Sequence, residues 1–87
     1  MITARVGGTV TLALPENPAT GFRWRLTSPL AVVSDEYFPS GTAPGGAGER
    51  VFVLLVAAAG RHEVLAELTR PWESTVKDVR TFVVDAS

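Results

Sequence analysis

The sequence predicts an all-β fold, and three observations support that prediction. Glycine and proline interrupt the chain at short intervals, and the segments between them favour Val, Thr, Leu and aromatic residues over long helix formers. Within these segments apolar and polar residues alternate, as they do when successive side chains face opposite sides of a sheet. No segment shows the apolar period of an amphipathic helix. Short connections between such strands favour an immunoglobulin-like antiparallel β-sandwich of about seven strands over a small closed barrel.

Seven runs are expected to form strands in chain order. They are residues 2–6, 8–14, 22–28, 31–38, 49–57, 61–69 and 76–85. The alternation is clearest in the third run, where Phe22, Trp24 and Leu26 share one face and two arginines lie on the other. The side chains predicted to face the core are Val10, Leu12, Leu14, Phe22, Trp24, Leu26, Phe52, Leu54, Val56, Val64, Ala66, Leu68, Phe82 and Val84.

The fifth run is apolar on both faces. Its sequence VFVLLVAAA, residues 51–59, is compatible with a buried helix, but its β-branched content and the glycine-rich stretch before it favour a strand. If alternate residues face the core, Val51, Val53 and Leu55 lie on the outer face. Either long neighbouring side chains cover them in part, or they form a patch for self-association.

Composition limits the classes of protein to which this chain can belong. Its 87 residues allow one modest core, so residues 1–87 are expected to form a single domain. The absence of cysteine excludes disulfides, thiolate catalysis and zinc ribbons. Eight basic and nine acidic residues are interspersed, which argues against a nucleic-acid partner. The chain begins without an apolar leader and lacks a membrane-length apolar run, so we expect a soluble protein with no membrane partner, either cytoplasmic or exported with its leader removed.

The first loop, residues 17–22, predicts a rigid corner. Pro18 fixes its own φ angle and makes Asn17 extended, whereas Gly21 can adopt a positive φ angle. Asn17 and Thr20 can hydrogen-bond to the nearby backbone. Phe22 and the tryptophan two residues later are then expected to anchor this corner to the core. A plain turn before a core strand is the alternative.

The second loop, residues 41–49, is rich in glycine and small residues. Such a segment lets the backbone approach another surface closely, although it could equally be a flexible connector. A phosphate cradle would require a following helix with Lys or Ser/Thr, but Glu49, Arg50 and a strand follow.

The third loop, residues 69–74, places Trp72 directly after Pro71, between Arg70 and Glu73. A turn should expose this tryptophan, and exposed tryptophans are enriched among binding hot spots. The alternative is a tryptophan folded back over the sheet edge. In a seven-strand sandwich the three loops gather at one end, so the sequence predicts a composite binding edge.

These residues resemble the chagasin family of inhibitors of papain-like cysteine peptidases. The stretch NPATGFRW, residues 17–24, is similar to the family's Asn-Pro-Thr-Thr-Gly-aromatic-x-Trp motif. YFPSG at residues 37–41, with the glycine segment, resembles its second loop, and RPW at residues 70–72 resembles its Arg-Pro-Trp loop. Two positions differ, because Ala19 replaces a threonine and Ala47 stands where a glycine is common.

The resemblance implies a reversible, non-covalent inhibitor whose three loops enter the active-site cleft of a papain-like cysteine peptidase. It implies an inhibitor that is a monomer when free and that needs no cofactor. The residues that it assigns to peptidase binding are Asn17, Pro18, Ala19, Thr20, Gly21, Phe22, Gly45, Gly46, Ala47, Gly48, Arg70, Pro71 and Trp72.

Two other functions agree less well with these residues. An enzyme is disfavoured because His62 is the single histidine and is expected to face the core beside Val64. The sequence also contains no Gly-x-Ser-x-Gly motif that would supply a nucleophilic serine. Neither catalytic nor metal-binding residues are therefore expected. An immunoglobulin-like adhesion or assembly module would explain the outward Val51, Val53 and Leu55, but it leaves the first and third loops unexplained.

Overall fold

The computed structural model describes residues 1–40 and 47–87, and its described part is built from seven β-strands. One short 3-10 turn, Pro18–Thr20, joins the second strand to the third. The strands are β1 Ile2–Ala4, β2 Thr9–Glu16, β3 Arg23–Thr27, β4 Ala31–Pro39, β5 Gly48–Leu55, β6 Gly60–Thr69 and β7 Val76–Ala86. These bounds confirm the all-β prediction. Within the described ranges, no helix is both long and apolar enough to cross a membrane.

The strands form two separate sheets. One sheet has the order β1-β7-β6-β3, and the other has the order β2-β5-β4. Neighbouring strands are antiparallel except β1, which runs parallel to β7 with Ile2 opposite Val84. No hairpin joins these two strands at opposite ends of the chain, so nothing forces them to be antiparallel. The two distinct strand orders fit the predicted sandwich and not the closed barrel.

The core lies between the sheets and follows the predicted alternation. In β2 every second side chain is buried, and in β5 the buried Phe52 and Leu54 alternate with half-buried or exposed neighbours, which is the pattern of strands with one face toward a core. The predicted core residues that are buried are Val10, Leu12, Leu14, Trp24, Phe52, Leu54, Val56, Val64, Ala66 and Val84. Leu26, Leu68 and Phe82 are partly buried against them, and Leu30 and Ala86 are buried without having been predicted.

The outer face of β5 is only partly exposed. Val51 and Val53 are half-buried in the central strand of their sheet, whereas Leu55, at the end of β5, is 37% exposed. This gradient agrees with partial cover by neighbours, which was one of the two predicted alternatives. Leu55 is therefore the exposed member of the three outward residues.

The adjacent residues Leu54 and Leu55 provide a matched test of this alternation. We expect Leu54→Ala to lower the free energy of unfolding by about 3 kcal/mol, because it leaves a cavity at a position that is 0% exposed. Leu55→Ala removes the same atoms from the outer face and should cost less than about 1 kcal/mol. Urea unfolding of both variants measures the difference. Equal losses would mean that β5 does not direct alternate residues into the core.

Candidate functional site

The first loop is held by its own hydrogen bonds. Asn17 is extended, with φ of −122° and ψ of 104°, and its Oδ1 accepts from the Ala19 N–H at 3.1 Å. The Thr20 hydroxyl donates to the Asn17 carbonyl at 2.8 Å, and the Gly21 N–H donates to the Pro18 carbonyl at 3.1 Å. Gly21 has φ of +79°, in the left-handed region that favours glycine. The corner therefore has the local bonding that the sequence predicted.

A buried carboxylate holds the base of the first loop, and the sequence analysis missed it. Glu16, the last residue of β2, has a side chain only 1% exposed. Its Oε1 accepts from the Trp24 N–H at 2.9 Å, so it satisfies a backbone donor on the outer edge of β3. The Trp24 indole N–H donates to the Pro15 carbonyl at 2.7 Å. The sequence does indicate that Glu16 is buried, because Glu16 continues the inward alternation of the residues before it in β2.

Arg50 balances the charge of this carboxylate. Its Nε and Nη2 donate to Glu16 Oε2 at 3.0 and 2.8 Å, and its Nη1 donates to Asp35 at 3.0 Å. Burial alone would lower the pKa of Arg50, but hydrogen bonds and charge attraction from Glu16 and Asp35 outweigh it and raise that pKa. Stabilisation from a raised pKa is present below the usual arginine value and is lost only above it. The Arg50 guanidinium therefore stays protonated, and its bonds to Glu16 and Asp35 stay charged on the arginine side, at any pH used to study a folded protein.

The third loop contacts the first loop directly. Arg70 Nε donates to the Thr20 carbonyl at 2.9 Å, and Arg70 Nη1 donates to Glu73 at 3.1 Å. The Glu73 N–H also donates to the Arg70 carbonyl at 3.2 Å, which tightens the turn around Pro71. Two distant segments of the chain are thus joined at one end of the sandwich.

Trp72 is 70% exposed, as the sequence predicted. Its ring nevertheless lies against the first loop, since a Cβ atom built on Gly21 would fall 2.6 Å from Trp72 Cη2. The Arg70 guanidinium lies 5.8 Å from the Trp72 ring centroid, within the range of a cation–π contact. The indole therefore faces solvent and is also packed against the first loop.

Phe22 was predicted to be a core residue of the third strand, and this was wrong. β3 begins one residue later, and Phe22 is half-buried in the first loop. Arg70 Cζ lies 4.0 Å over its ring and Lys77 Nζ lies 4.5 Å over it. The alternation continues in sequence through Phe22, but the left-handed turn at Gly21 ends the regular strand geometry before it. Phe22 therefore packs against the third loop and β7.

The second loop is described at its ends. Gly45 and Gly46, with the rest of residues 41–46, lie outside the described residues. Ala47 is exposed, and its carbonyl accepts from the Ser40 N–H at 3.3 Å. Gly48 is buried as the first residue of β5, paired with Glu16 on one side. Because the first loop follows Glu16, the described end of the second loop lies at the same end of the sandwich.

Gly48 has a structural reason to be glycine. A Cβ atom there would collide with the Tyr37 hydroxyl and the Phe38 carbonyl of β4. The resemblance assigned Gly48 to peptidase binding, but Gly48 is covered by β4 of its own chain. The first and third loops contribute exposed residues, namely Pro18, Ala19, Thr20, Pro71 and Trp72, and half-buried ones, namely Asn17, Gly21, Phe22 and Arg70.

His62 lies near the start of β6, at the end of that strand opposite the third loop. It is half-buried, and its Nε2 is 2.9 Å from the Ala58 carbonyl oxygen, so its ring has a local partner. In residues 1–40 and 47–87, no three His, Cys, Asp or Glu side chains are grouped to hold a metal ion.

Comparison with known proteins places this architecture among peptidase inhibitors. Residues 3–86 match the family model described as Chagasin family peptidase inhibitor I42. The chain is 37% identical to chagasin of Trypanosoma cruzi over 92 aligned positions, which cover 95% of this chain and 84% of that protein.

Two solved structures share the fold. The cysteine protease inhibitor EhICP2 of Entamoeba histolytica matches with a TM-score of 0.82 and 20% identity, over 99% of this chain and 84% of that one. The solution structure of amebosin matches with a TM-score of 0.60 and 24% identity, over 98% and 84% of the two chains.

Proposed function

Because the chain belongs to the chagasin family of peptidase inhibitors, we propose that it is a reversible, non-covalent inhibitor of papain-like cysteine peptidases. The resemblance found in the three loops is confirmed by that membership, and a member of an inhibitor family is not an enzyme. The proposal extends to the partner and the mechanism. Residues 1–87 act as one inhibitor domain, which is a monomer when free.

The observation that carries the proposal is the joined first and third loops at one end of the sandwich. Arg70 bonds to the Thr20 carbonyl, and Trp72 packs against Gly21 while remaining 70% exposed. Two joined loops that carry an exposed tryptophan suit insertion into a concave cleft, where aromatic residues dominate binding energy.

The shape of the first loop explains how it could block a peptidase without being cut. A substrate lies extended across the cleft, so that a carbonyl carbon meets the catalytic thiolate in attack geometry. Pro18–Thr20 forms instead a closed turn, held by the bonds from Ala19 to Asn17 and from Gly21 to Pro18. No peptide bond in it can straighten without breaking those bonds. The complex therefore forms no covalent bond and dissociates to intact proteins.

The other two loops flank the first in this proposal. Trp72 stacks on apolar or aromatic groups beside the cleft, and Pro71 restricts the turn that presents it. Gly45, Gly46 and Ala47 of the second loop approach the enzyme through their backbone. Gly48 supports this loop from within β5, where it is buried. An interface of about 1,600 Å² is typical of tight peptidase–inhibitor complexes.

An adhesion or assembly module without inhibitory activity is the second candidate. The exposed Leu55, at the end of β5, leaves an apolar side chain on the outer face of the β2-β5-β4 sheet. Family membership and the joined loops both favour the inhibitor.

A stoichiometric titration of papain with the purified chain tests the proposal. We expect activity to fall linearly to zero near one equivalent and to return after dilution, with the chain recovered uncut by mass spectrometry. Trypsin, a serine peptidase, serves as the control and should keep its activity. Full papain activity at micromolar concentrations of the chain would favour the assembly module.

Trp72→Ala is expected to raise the inhibition constant for papain at least about 30-fold, since a tryptophan that is a hot spot of an interface typically contributes about 2 kcal/mol or more. The free energy of unfolding should change little, because most of this side chain is in solvent. Steady-state inhibition and urea unfolding of the same preparation measure both. An unchanged inhibition constant would remove Trp72 from the contact surface.

A further inference from the structure

The Arg70 side chain contacts residues of both the first loop and the third loop. Its Nε donates to the Thr20 carbonyl at 2.9 Å and its Nη1 donates to the Glu73 carboxylate at 3.1 Å. Its Cζ lies 4.0 Å over the Phe22 ring and 5.8 Å from the Trp72 ring centroid. The side chain is 30% exposed, which is low for an arginine in a surface turn. One guanidinium thus contacts four residues, two in each loop.

We propose that Arg70 is a positioning residue: it locks the first loop to the third loop in the free protein, and it contributes to inhibition through that arrangement and not through contact with the peptidase. This inference rests on the proposed function and reassigns a residue that the resemblance placed on the binding surface. We call Arg70, with Thr20, Phe22 and Glu73, the Arg70 clamp.

The chemistry of the guanidinium supports this assignment. Arginine has a planar fork of donors, and stacks its face on aromatic rings while those donors point outward in the plane. In the Arg70 clamp Nε and Nη1 already donate within the chain, and Cζ lies 4.0 Å over the Phe22 ring. A partner that used these donors would first have to break bonds that hold the loops together. Two directional bonds to a backbone carbonyl and a carboxylate define a position more closely than one charge does.

The first loop needs such a tie. Its own hydrogen bonds join residues no more than three apart, from Ala19 to Asn17, from Thr20 to Asn17 and from Gly21 to Pro18. These bonds fix the shape of the corner but not its orientation relative to Trp72. The β3–β6 ladder, with Arg23 opposite Thr69, brings the first and third loops side by side, and the bond from Arg70 to the Thr20 carbonyl then ties the corner itself to the third loop. Ordering the loops before binding removes a cost that would otherwise be subtracted from affinity.

Amide exchange in the free protein tests the Arg70 clamp without any peptidase. We expect Arg70→Lys to speed hydrogen exchange at the Gly21 and Phe22 amides about tenfold, because a local opening becomes easier, while the core amides are unchanged. Lysine keeps the positive charge but cannot hold both directional bonds. Arg61→Lys is the matched control, since Arg61 lies at the opposite end of β6 in an exposed pair with Glu63. It should leave these amides as they are in the wild type.

The inhibition constant then tests the consequence. We expect Arg70→Lys to raise the inhibition constant about tenfold and Arg70→Ala to raise it about 50-fold. The free energy of unfolding, measured in urea, should change no more in these variants than it does in Arg61→Lys. Glu73→Gln alone should also raise the inhibition constant. If Arg70 acts through its clamp, the double variant with Arg70→Ala and Glu73→Gln should inhibit about as well as Arg70→Ala alone, because the bond that Glu73→Gln weakens is already lost.

Two results would overturn the proposal. Weaker inhibition with unchanged exchange at Gly21 and Phe22 would make Arg70 a direct contact residue. Faster exchange with unchanged inhibition would mean that the loops need no prior locking. If the wild-type chain fails to inhibit papain, the proposed function fails separately, while the exchange rates still decide whether Arg70 locks the loops.

Discussion

Gly21→Ala is expected to raise the inhibition constant for papain at least about 100-fold. Two causes combine. Gly21 has φ of +79°, and an alanine there costs about 1–2 kcal/mol of backbone strain. The added Cβ would also lie 2.6 Å from Trp72 Cη2, so the indole must move away from the first loop. Inhibition assays and urea unfolding on the same protein separate these effects.

Gly7→Ala is the matched control for that substitution. Gly7 also has a left-handed φ angle, of +90°, but an added Cβ meets nothing within 4 Å. Both variants should therefore lose similar unfolding free energy, and only Gly21→Ala should lose inhibition. Equal inhibition by both variants would show that the contact between Gly21 and Trp72 has no part in binding.

Glu16→Ala is expected to lower the free energy of unfolding by about 4 kcal/mol, a large share of the about 5–15 kcal/mol of a typical domain. The substitution leaves the Trp24 N–H without its acceptor and the largely buried Arg50 guanidinium without its closest carboxylate. Both groups remain out of water, so their desolvation is no longer offset. Urea unfolding followed by tryptophan fluorescence measures the loss.

Glu67→Ala is the control for Glu16→Ala. Glu67 is also a strand glutamate paired with an arginine, but Arg25 in that pair is 66% exposed and the N–O distance is 3.4 Å. Such a pair contributes at most about 1 kcal/mol. If Glu16→Ala destabilises the chain no more than Glu67→Ala does, the buried carboxylate is not the support of the first loop.

The strands were predictable from the sequence because burial on one face imposes alternation. Val10, Leu12 and Leu14 show this in β2, and the structure buries all three. The same rule wrongly predicted Phe22 to be a core residue of β3. Alternation in the sequence does not reveal that Gly21 turns the chain just before Phe22. The exposed Trp72 was predictable because a proline-containing turn leaves little room to bury an indole.

The contacts that join the site were not predictable in this way. The hydrogen bond from Arg70 to the Thr20 carbonyl depends on the pairing of β3 with β6, which places Arg23 opposite Thr69, and its acceptor is backbone, which carries no signal in the sequence. Glu16 had a partial signal in its inward register, but its partner Arg50 is 34 positions away. The pairing of β1 with β7 likewise depends on where the two chain ends meet.

Hydrogen exchange measured on the chain alone and on its complex with papain tests most directly whether the first and third loops are the part of the molecule that enters the cleft. We expect slower exchange on complex formation at residues 17–22 and 70–73, with little change on the outer face of β2 and β5. Protection of residues 51–55, with both loops exchanging as fast as in the free chain, would contradict it.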